Sequence, residues 1–450
     1  MLPFNPQDLE LITASLKKRK GQLLIIFGPR RAGKVELIQQ CVDKNTIYFK
    51  ADQQESPLQI AAFKVELNRS IPSLTWSNEN DWLSIFSSIS AHGKEKFTLI
   101  IDEFPNLLKN DSELLHVLEQ IIDAGHLKNI NIILCGSSLQ AMRQLSEPLS
   151  PLYKCIDLSL EIKEQGLGAL KDYLDLDASS ALEEYGIWGG MPDYWKMRKQ
   201  QDSFAVAVKN LILDPLGMLH EEAERLFLDE MRSSVQTYSI MSLLATENYR
   251  LSQIAVKLGK PPTQLTRILS NLIDLGYIRR EIPFGESALN SKRSLYKIDN
   301  PFLHFYFGFV VPNRSRLGLG MIDKVWSDIS FRLPMYTALN WEDLSRKAIS
   351  QLEIGGKPWA AASRWWGKGI DGKSMEIGIV ADSKDKKSIL FGEAKWSRNL
   401  AIDEAIRALD QKISNFPATD NKEVVKVLFV REKPLKSHPG AILLSPEDLP

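Results

Sequence analysis

A glycine-rich turn, GPRRAGKV from Gly28 to Val35, lies between an apolar run, QLLIIF, and a segment with helical periodicity, VELIQQCVD. No other stretch constrains the fold as strongly. Gly28 and Gly33 let the backbone turn its N–H groups towards one point, and a helix opening near Lys34 adds its positive end, so the turn suits a phosphate. Pro29, Arg30, Arg31 and Ala32 complete the loop, and Lys34 reaches the β- and γ-phosphates as a point charge. Val35 stands where the pattern asks for Ser or Thr. An aliphatic side chain cannot ligate magnesium, so the ion would depend on phosphates, water and an acidic group elsewhere. The expectation is retained ATP binding with weakened dependence on magnesium (Mg2+) and slow hydrolysis.

The acidic group is expected in FTLIIDEF, where a buried strand ends at Asp102 and Glu103. Asp102 is placed to hold Mg2+ through water, and Glu103 to orient or deprotonate the attacking water. A further strand, NINIILCGSS, ends at Ser137, a polar side chain suited to sensing the γ-phosphate. With NTIYFKAD these runs alternate with amphipathic helices, which argues for a doubly wound parallel sheet with its ligand crevice at the carboxyl ends of the strands.

At 450 residues the chain exceeds one ordinary domain of about 100–200 residues. Its 56 Lys and Arg against 56 Asp and Glu exclude binding to polyanions by bulk charge, so nucleic acid can be held only by a local patch. Three scattered cysteines read as reduced core thiols in a cytoplasmic protein. Six dispersed histidines suggest no zinc site, and no apolar run is long enough for a membrane span.

The expected domains are a P-loop α/β core (1–165), a helical lid-like segment (166–224), a winged helix (225–315) and a smaller α/β domain (316–450). FLDEMRSSVQTYSIMSLLAT, RLSQIAVKLGK and PPTQLTRILSNLIDLGYI read as three helices, followed by a hairpin with Gly285 near its turn. In the third helix Thr263, Gln264 and Arg267 share a polar side opposite Leu265, Ile268, Leu269, Leu272 and Ile273. That side is the candidate DNA reader, with Arg279, Arg280, Lys292 and Arg293 flanking it towards phosphate. Packing against a protein partner is the other use of such a module. The aromatic run FLHFYFGFVV reads as a stripe joining domains.

GPRRAGK, IIDEFPNLL, CGSSLQAM, SPLYKC, YGIWGGMPDYW, SLYKIDNPFLHFYFGFV and FGEAKW follow one another in an order that resembles the archaeal-type ATPases of the AAA+/STAND-like class. The resemblance covers nearly the whole chain. It implies an AAA+-like P-loop core, a winged helix and a C-terminal domain of the PD-(D/E)xK, restriction-endonuclease-like fold, with ATP and Mg2+ at Gly28–Val35, Asp102 and Glu103. The family pattern Pro-Leu-Tyr-Gly-Arg reads Pro151-Leu152-Tyr153-Lys154-Cys155, so an arginine expected to meet phosphate is replaced by Cys155.

A nuclease of that fold needs carboxylates on two strands and a lysine around a metal. Glu393 and Lys395 supply the second strand's pair on one face, with Glu393 as a metal ligand. The first strand reads Glu376-Ile377-Gly378, so the carboxylate due at 378 is missing; Glu376 and Glu342 are candidates to replace it. The resulting expectation is an ATP-held switch acting on a nucleic-acid or protein partner, with an inactive nuclease-like domain. The alternatives are an active ATP-dependent DNA-processing nuclease and a scaffold that uses no nucleotide.

Overall fold

The computed structural model describes residues 2–76, 81–92, 96–230, 234–246, 249–287, 291, 293–417, 422–434 and 438–449. They divide into two compact units, Met1–Gln165 with Met191–Asp193 and Gly166–Gly190 with Tyr194–Pro450.

The first unit is built on β1 (Leu23–Phe27), β2 (Thr46–Lys50), β3 (Phe97–Asp102), β4 (Ile130–Gly136) and β5 (Leu158–Glu161), in the order β2-β3-β4-β1-β5. All pair in parallel. β1, β3 and β4 are buried along their whole length, as strands covered by helices on both faces must be. Their continuous apolar runs made them readable. The sequence reading did not find β5, whose four residues, Leu158-Ser159-Leu160-Glu161, alternate apolar and polar and form no continuous apolar run. Since the strands share a direction, their carboxyl ends share an edge, and the segments after β1, β3 and β4 gather there. A Cβ at Gly28 would lie 2.4 Å from the Ile162 carbonyl oxygen, so only glycine lets the loop leave β1 past the end of β5.

The second unit begins with helices Leu167–Leu174 and Ala178–Trp188. Its helix-turn-helix comprises Ser234–Ala245, Leu251–Leu258 and Pro262–Asp274, followed by the antiparallel pair β6 (Ile278–Glu281) and β7 (Leu295–Ile298). Gly259 ends the second helix at φ 62° and Pro261-Pro262 opens the third. The helix expected from Phe227 to Thr246 is described as two, Glu222–Glu230 and Ser234–Ala245, with 231–233 outside the described residues.

The aromatic run forms Pro301–Phe305 and a π-helical turn, Tyr306–Val310. Its rings meet Tyr194, Phe227 and Tyr336, with centroids 4.9 Å apart for Phe302–Tyr194, 5.9 Å for Phe307–Phe227 and 6.0 Å for Phe305–Tyr336.

The long helix Ile322–Ala348 then leads through a small hairpin, β8 (Glu353–Ile354) and β9 (Lys357–Pro358), into the last sheet. That sheet comprises β10 (Ser363–Lys368), β11 (Ser374–Asp382), β12 (Ser388–Lys395), β13 (Glu423–Val430) and β14 (Ile442–Leu444) in sequential order. It is mixed, antiparallel from β10 to β12 and parallel from β12 to β14, with helix Ile402–Ser414 crossing between β12 and β13.

Candidate functional site

The phosphate loop leaves β1 at Gly28 and enters helix Lys34–Cys41 through Gly33, which caps it at φ 73°. Arg31 also lies at positive φ, 70°, uncommon for a residue with a side chain. The first bond of the helix ladder runs from Leu37 N to Gly33 O at 2.9 Å, so the amides of the loop and first turn precede that ladder and head the helix. Lys34 is buried, 8% exposed, and its Nζ donates to the carbonyls of Gly28 at 3.0 Å and Pro29 at 2.9 Å. The ammonium therefore lies folded onto its own loop. Ala32 is fully buried, while Pro29, Arg30, Arg31 and Val35 are half-buried. Two segments remote in sequence close on the loop: the Phe4 ring would touch a Cβ at Gly33 at 3.0 Å, and Asp193 N donates to Arg31 O at 3.3 Å.

Asp102 closes β3 and is 6% exposed. One of its oxygens accepts from the Tyr48 hydroxyl at 2.8 Å and the other from the Glu103 amide at 3.0 Å. Glu103 turns out of the strand at φ 51°, and its Oε2 accepts from Ser137 Oγ at 3.0 Å. Sequence reasoning placed Asp102, Glu103 and Ser137 at one strand edge, and the structure brings them together. It missed Tyr48 and the buried Cys135. Burial, then the Asp102 carboxylate, push the Cys135 thiol far up, so it remains protonated beside that group.

These residues suit the two expected ligands differently. Amides heading a helix and a buried ammonium suit phosphate. Magnesium fits less well, because position 35 offers no oxygen and each Asp102 oxygen already accepts one hydrogen bond, which leaves it a single further acceptor position.

The expectation for Cys155 is corrected by topology. Asp157 N bonds Leu23 O at 2.9 Å, at the start of β1, and Cys155 lies before it on that amino edge. The phosphate loop follows the other end of β1, about 13–16 Å away along the strand. No side chain at 155 can meet phosphate on this chain's own loop, and the replacement has no bearing there.

On the third helix of the helix-turn-helix, Pro262–Asp274, Thr263, Gln264 and Arg267 are exposed. Leu265, Leu269 and Leu272 are buried, and Ile268 and Ile273 half-buried. The flanking cations differ from expectation. Arg279 lies in an ion network with Glu281 (2.7 Å), Asp299 (2.8 Å) and Asp343 (2.7 Å), which turns it away from solvent. Arg293 pairs with Glu286 and donates to the Trp366 carbonyl at 2.8 Å, which ties the wing to β10. Arg280 binds Ser294 Oγ at 2.8 Å, and Lys292 lies outside the described residues.

In the last sheet the β11–β12 register pairs Ile379 with Gly392, and its continuation sets Gly378 opposite Glu393. A Cβ at Gly378 would lie 3.5 Å from Glu342 Oε1, so Glu342 does approach the missing carboxylate's position. It is held there by Arg346 at 2.6 Å. Glu376 pairs with Arg364 at 3.0 Å, and Glu393 with Lys412 at 2.6 Å and Lys395 at 3.4 Å. Among the described residues no cluster of three or more His, Cys, Asp and Glu suits a metal, and no helix is long and apolar enough to cross a membrane.

Comparison with known proteins divides the chain similarly. A model described as an AAA domain matches residues 20–160, one described as an IclR helix-turn-helix domain matches 237–281, and one described as archaea bacterial proteins of unknown function matches 306–409. An uncharacterized protein of Methanocaldococcus jannaschii, MJECL04, is 28% identical over 98% of each chain. Among solved structures, a Walker-type ATPase of Pyrococcus abyssi shares 20% identity at a TM-score of 0.51, covering 68% of this chain and 96% of its own. The Aeropyrum pernix ORC2 protein shares 15% identity at a TM-score of 0.48, over 71% and 96% of the two chains. The AAA-domain match thus contains the phosphate loop, and the helix-turn-helix match follows it along the chain.

Proposed function

We propose that the protein is a nucleotide-held switch: it binds ATP tightly, hydrolyses it slowly, and uses occupancy of the loop to control a DNA or protein partner. The observation that carries this reading is the imbalance at the site. The phosphate-holding parts are intact at Gly28, Gly33 and Lys34, whereas the magnesium-holding parts are depleted at Val35 and engaged at Asp102.

In the proposed mechanism the loop amides and Lys34 bind the phosphates, Lys34 exchanging the carbonyls of Gly28 and Pro29 for phosphate oxygens. Glu103 receives the proton of the attacking water, with Ser137 orienting its carboxylate. Magnesium, when bound, would supply neutralisation of phosphate charge, and Asp102 would hold the ion through water. With no hydroxyl at 35, fewer groups fix that charge, so the proposed turnover is slow.

The exposed side of the recognition helix, Thr263, Gln264 and Arg267, supports DNA as the partner. For the C-terminal domain we propose a nuclease-like fold that holds without cutting, since Gly378 provides no carboxylate and Glu342, Glu376 and Glu393 are each ion-paired. The test is a titration with fluorescent ATP, with and without magnesium, beside Lys34→Ala and Val35→Thr. The reading requires tight binding that depends on Lys34 and little on magnesium, with turnover rising in Val35→Thr. Fast magnesium-dependent hydrolysis by the unmodified chain would favour a motor enzyme instead.

A further inference from the structure

Tyr48 lies on β2, whose Ile47 and Phe49 are buried while Tyr48 itself is 38% exposed. Its β3 partner in the parallel register is Ile100, and Asp102 lies two residues further along the same face. An aromatic side chain can span that diagonal. Here it does, and its hydroxyl donates to Asp102 Oδ2 at 2.8 Å. Phenylalanine would fill the same space, so what tyrosine adds is this one bond. Burial, then the neighbouring Asp102 charge, push the ionisation of Tyr48 far above its usual range, so the hydroxyl is a donor at every working pH.

Resting on the nucleotide-binding reading above, we propose that Tyr48 is a positioning residue of the nucleotide site: its hydroxyl clamps the Asp102 carboxylate and takes one of the acceptor positions on Oδ2 that a magnesium-bound water would use. Together with Val35, the clamp separates phosphate binding from magnesium binding. It lies on a strand distant in sequence from both motifs, so nucleotide affinity and magnesium coupling can be altered independently.

The test measures the dissociation constant of a fluorescent ATP analogue for the full chain in EDTA and in magnesium, and takes the ratio. Removing a hydrogen bond to a charged group in Tyr48→Phe should raise that ratio about tenfold, with the constant in EDTA and the melting temperature unchanged. An unchanged ratio overturns the proposal. So does an equal change in both conditions, which would mean that Tyr48 acts on the nucleotide or the fold. As a measurement on the unmodified protein, magnesium added to the nucleotide-loaded chain should perturb tyrosine ultraviolet absorption, and a flat difference spectrum counts against the clamp. Absence of nucleotide binding, or binding indifferent to Lys34→Ala, overturns the nucleotide reading itself and this proposal with it.

Discussion

Lys412 Nζ stands 2.6 Å from Glu393 Oε1, so the carboxylate best suited to a metal in the C-terminal sheet is already met by a cation from the crossing helix. A second internal pairing lies beside Gly378, where Arg346 Nε donates to the glycine carbonyl at 2.9 Å and its guanidinium pairs with Glu342. A centre balanced internally in this way has little net negative charge left to attract a divalent ion.

Supercoiled plasmid should therefore remain intact with the purified protein in magnesium or manganese, and Glu393→Ala should behave identically. Gly378→Asp combined with Lys412→Ala restores one carboxylate and frees another, and should produce manganese binding detectable by calorimetry. Nicking by the unmodified chain that disappears in Glu393→Ala would contradict the ion-paired picture.

At the phosphate loop, Lys34→Ala should weaken nucleotide binding about ten- to hundredfold, the loss expected for a charge-assisted contact. Val35→Thr should leave affinity in EDTA unchanged while raising steady-state phosphate release by about tenfold. Phosphate release equal in both proteins would show that position 35 does not limit turnover.

The two arginines of the winged helix should separate cleanly. Arg267→Ala, at an exposed position, should weaken any duplex DNA binding and reduce its salt dependence without changing stability. Arg279→Ala removes the cation shared by Glu281, Asp299 and Asp343, and should cost about 3 kcal/mol by thermal or urea unfolding. Burial opposes the ionisation of Asp343, but Arg279, Arg346 and Lys297 outweigh it and hold its carboxyl far below the usual range. A stability loss on Arg267→Ala larger than on Arg279→Ala would reverse these roles.

His304 packs against Tyr336 at 5.1 Å between ring centroids and is pushed down to about 4, chiefly by burial, with Asp343 opposing and Arg279 and Lys297 assisting. The unfolded chain then binds the extra proton between about pH 6.5 and 4, so this residue makes stability rise with pH across that window. Lowering the pH from 7 to 4 should remove up to about 3 kcal/mol through this group. His304→Gln should flatten the slope of the melting midpoint from pH 7 to 5, and an unaltered slope would assign the acid sensitivity elsewhere.

The legible parts of this molecule are those whose cause is local. Gly28–Lys34 is contiguous, and β1, β3 and β4 are buried throughout and mostly apolar, so loop and strand ends could be placed from a few residues each. What escaped depends on register or direction. Tyr48 meets Asp102 only through the β2–β3 pairing, and the misassigned role of Cys155 follows from an unrecognised β5, whose direction places the residues before it on the far edge. Arg279 and Arg293 look like phosphate-seeking charges in sequence. Their partners, Asp343 and the Trp366 carbonyl, arrive from the long helix and the last sheet.

The buried aromatic run through Pro301–Phe305 and Tyr306–Val310 has an evolutionary consequence. Its rings contact the helical segment, the first helix of the helix-turn-helix group and the long helix at once, so excising any one of them would bare Phe302, Phe305 or Phe307, each at most 1% exposed. Recombination at the apparent module boundaries would yield aggregation-prone fragments. The helix-turn-helix and the C-terminal sheet are thus bound to be inherited, and to melt, as one cooperative block.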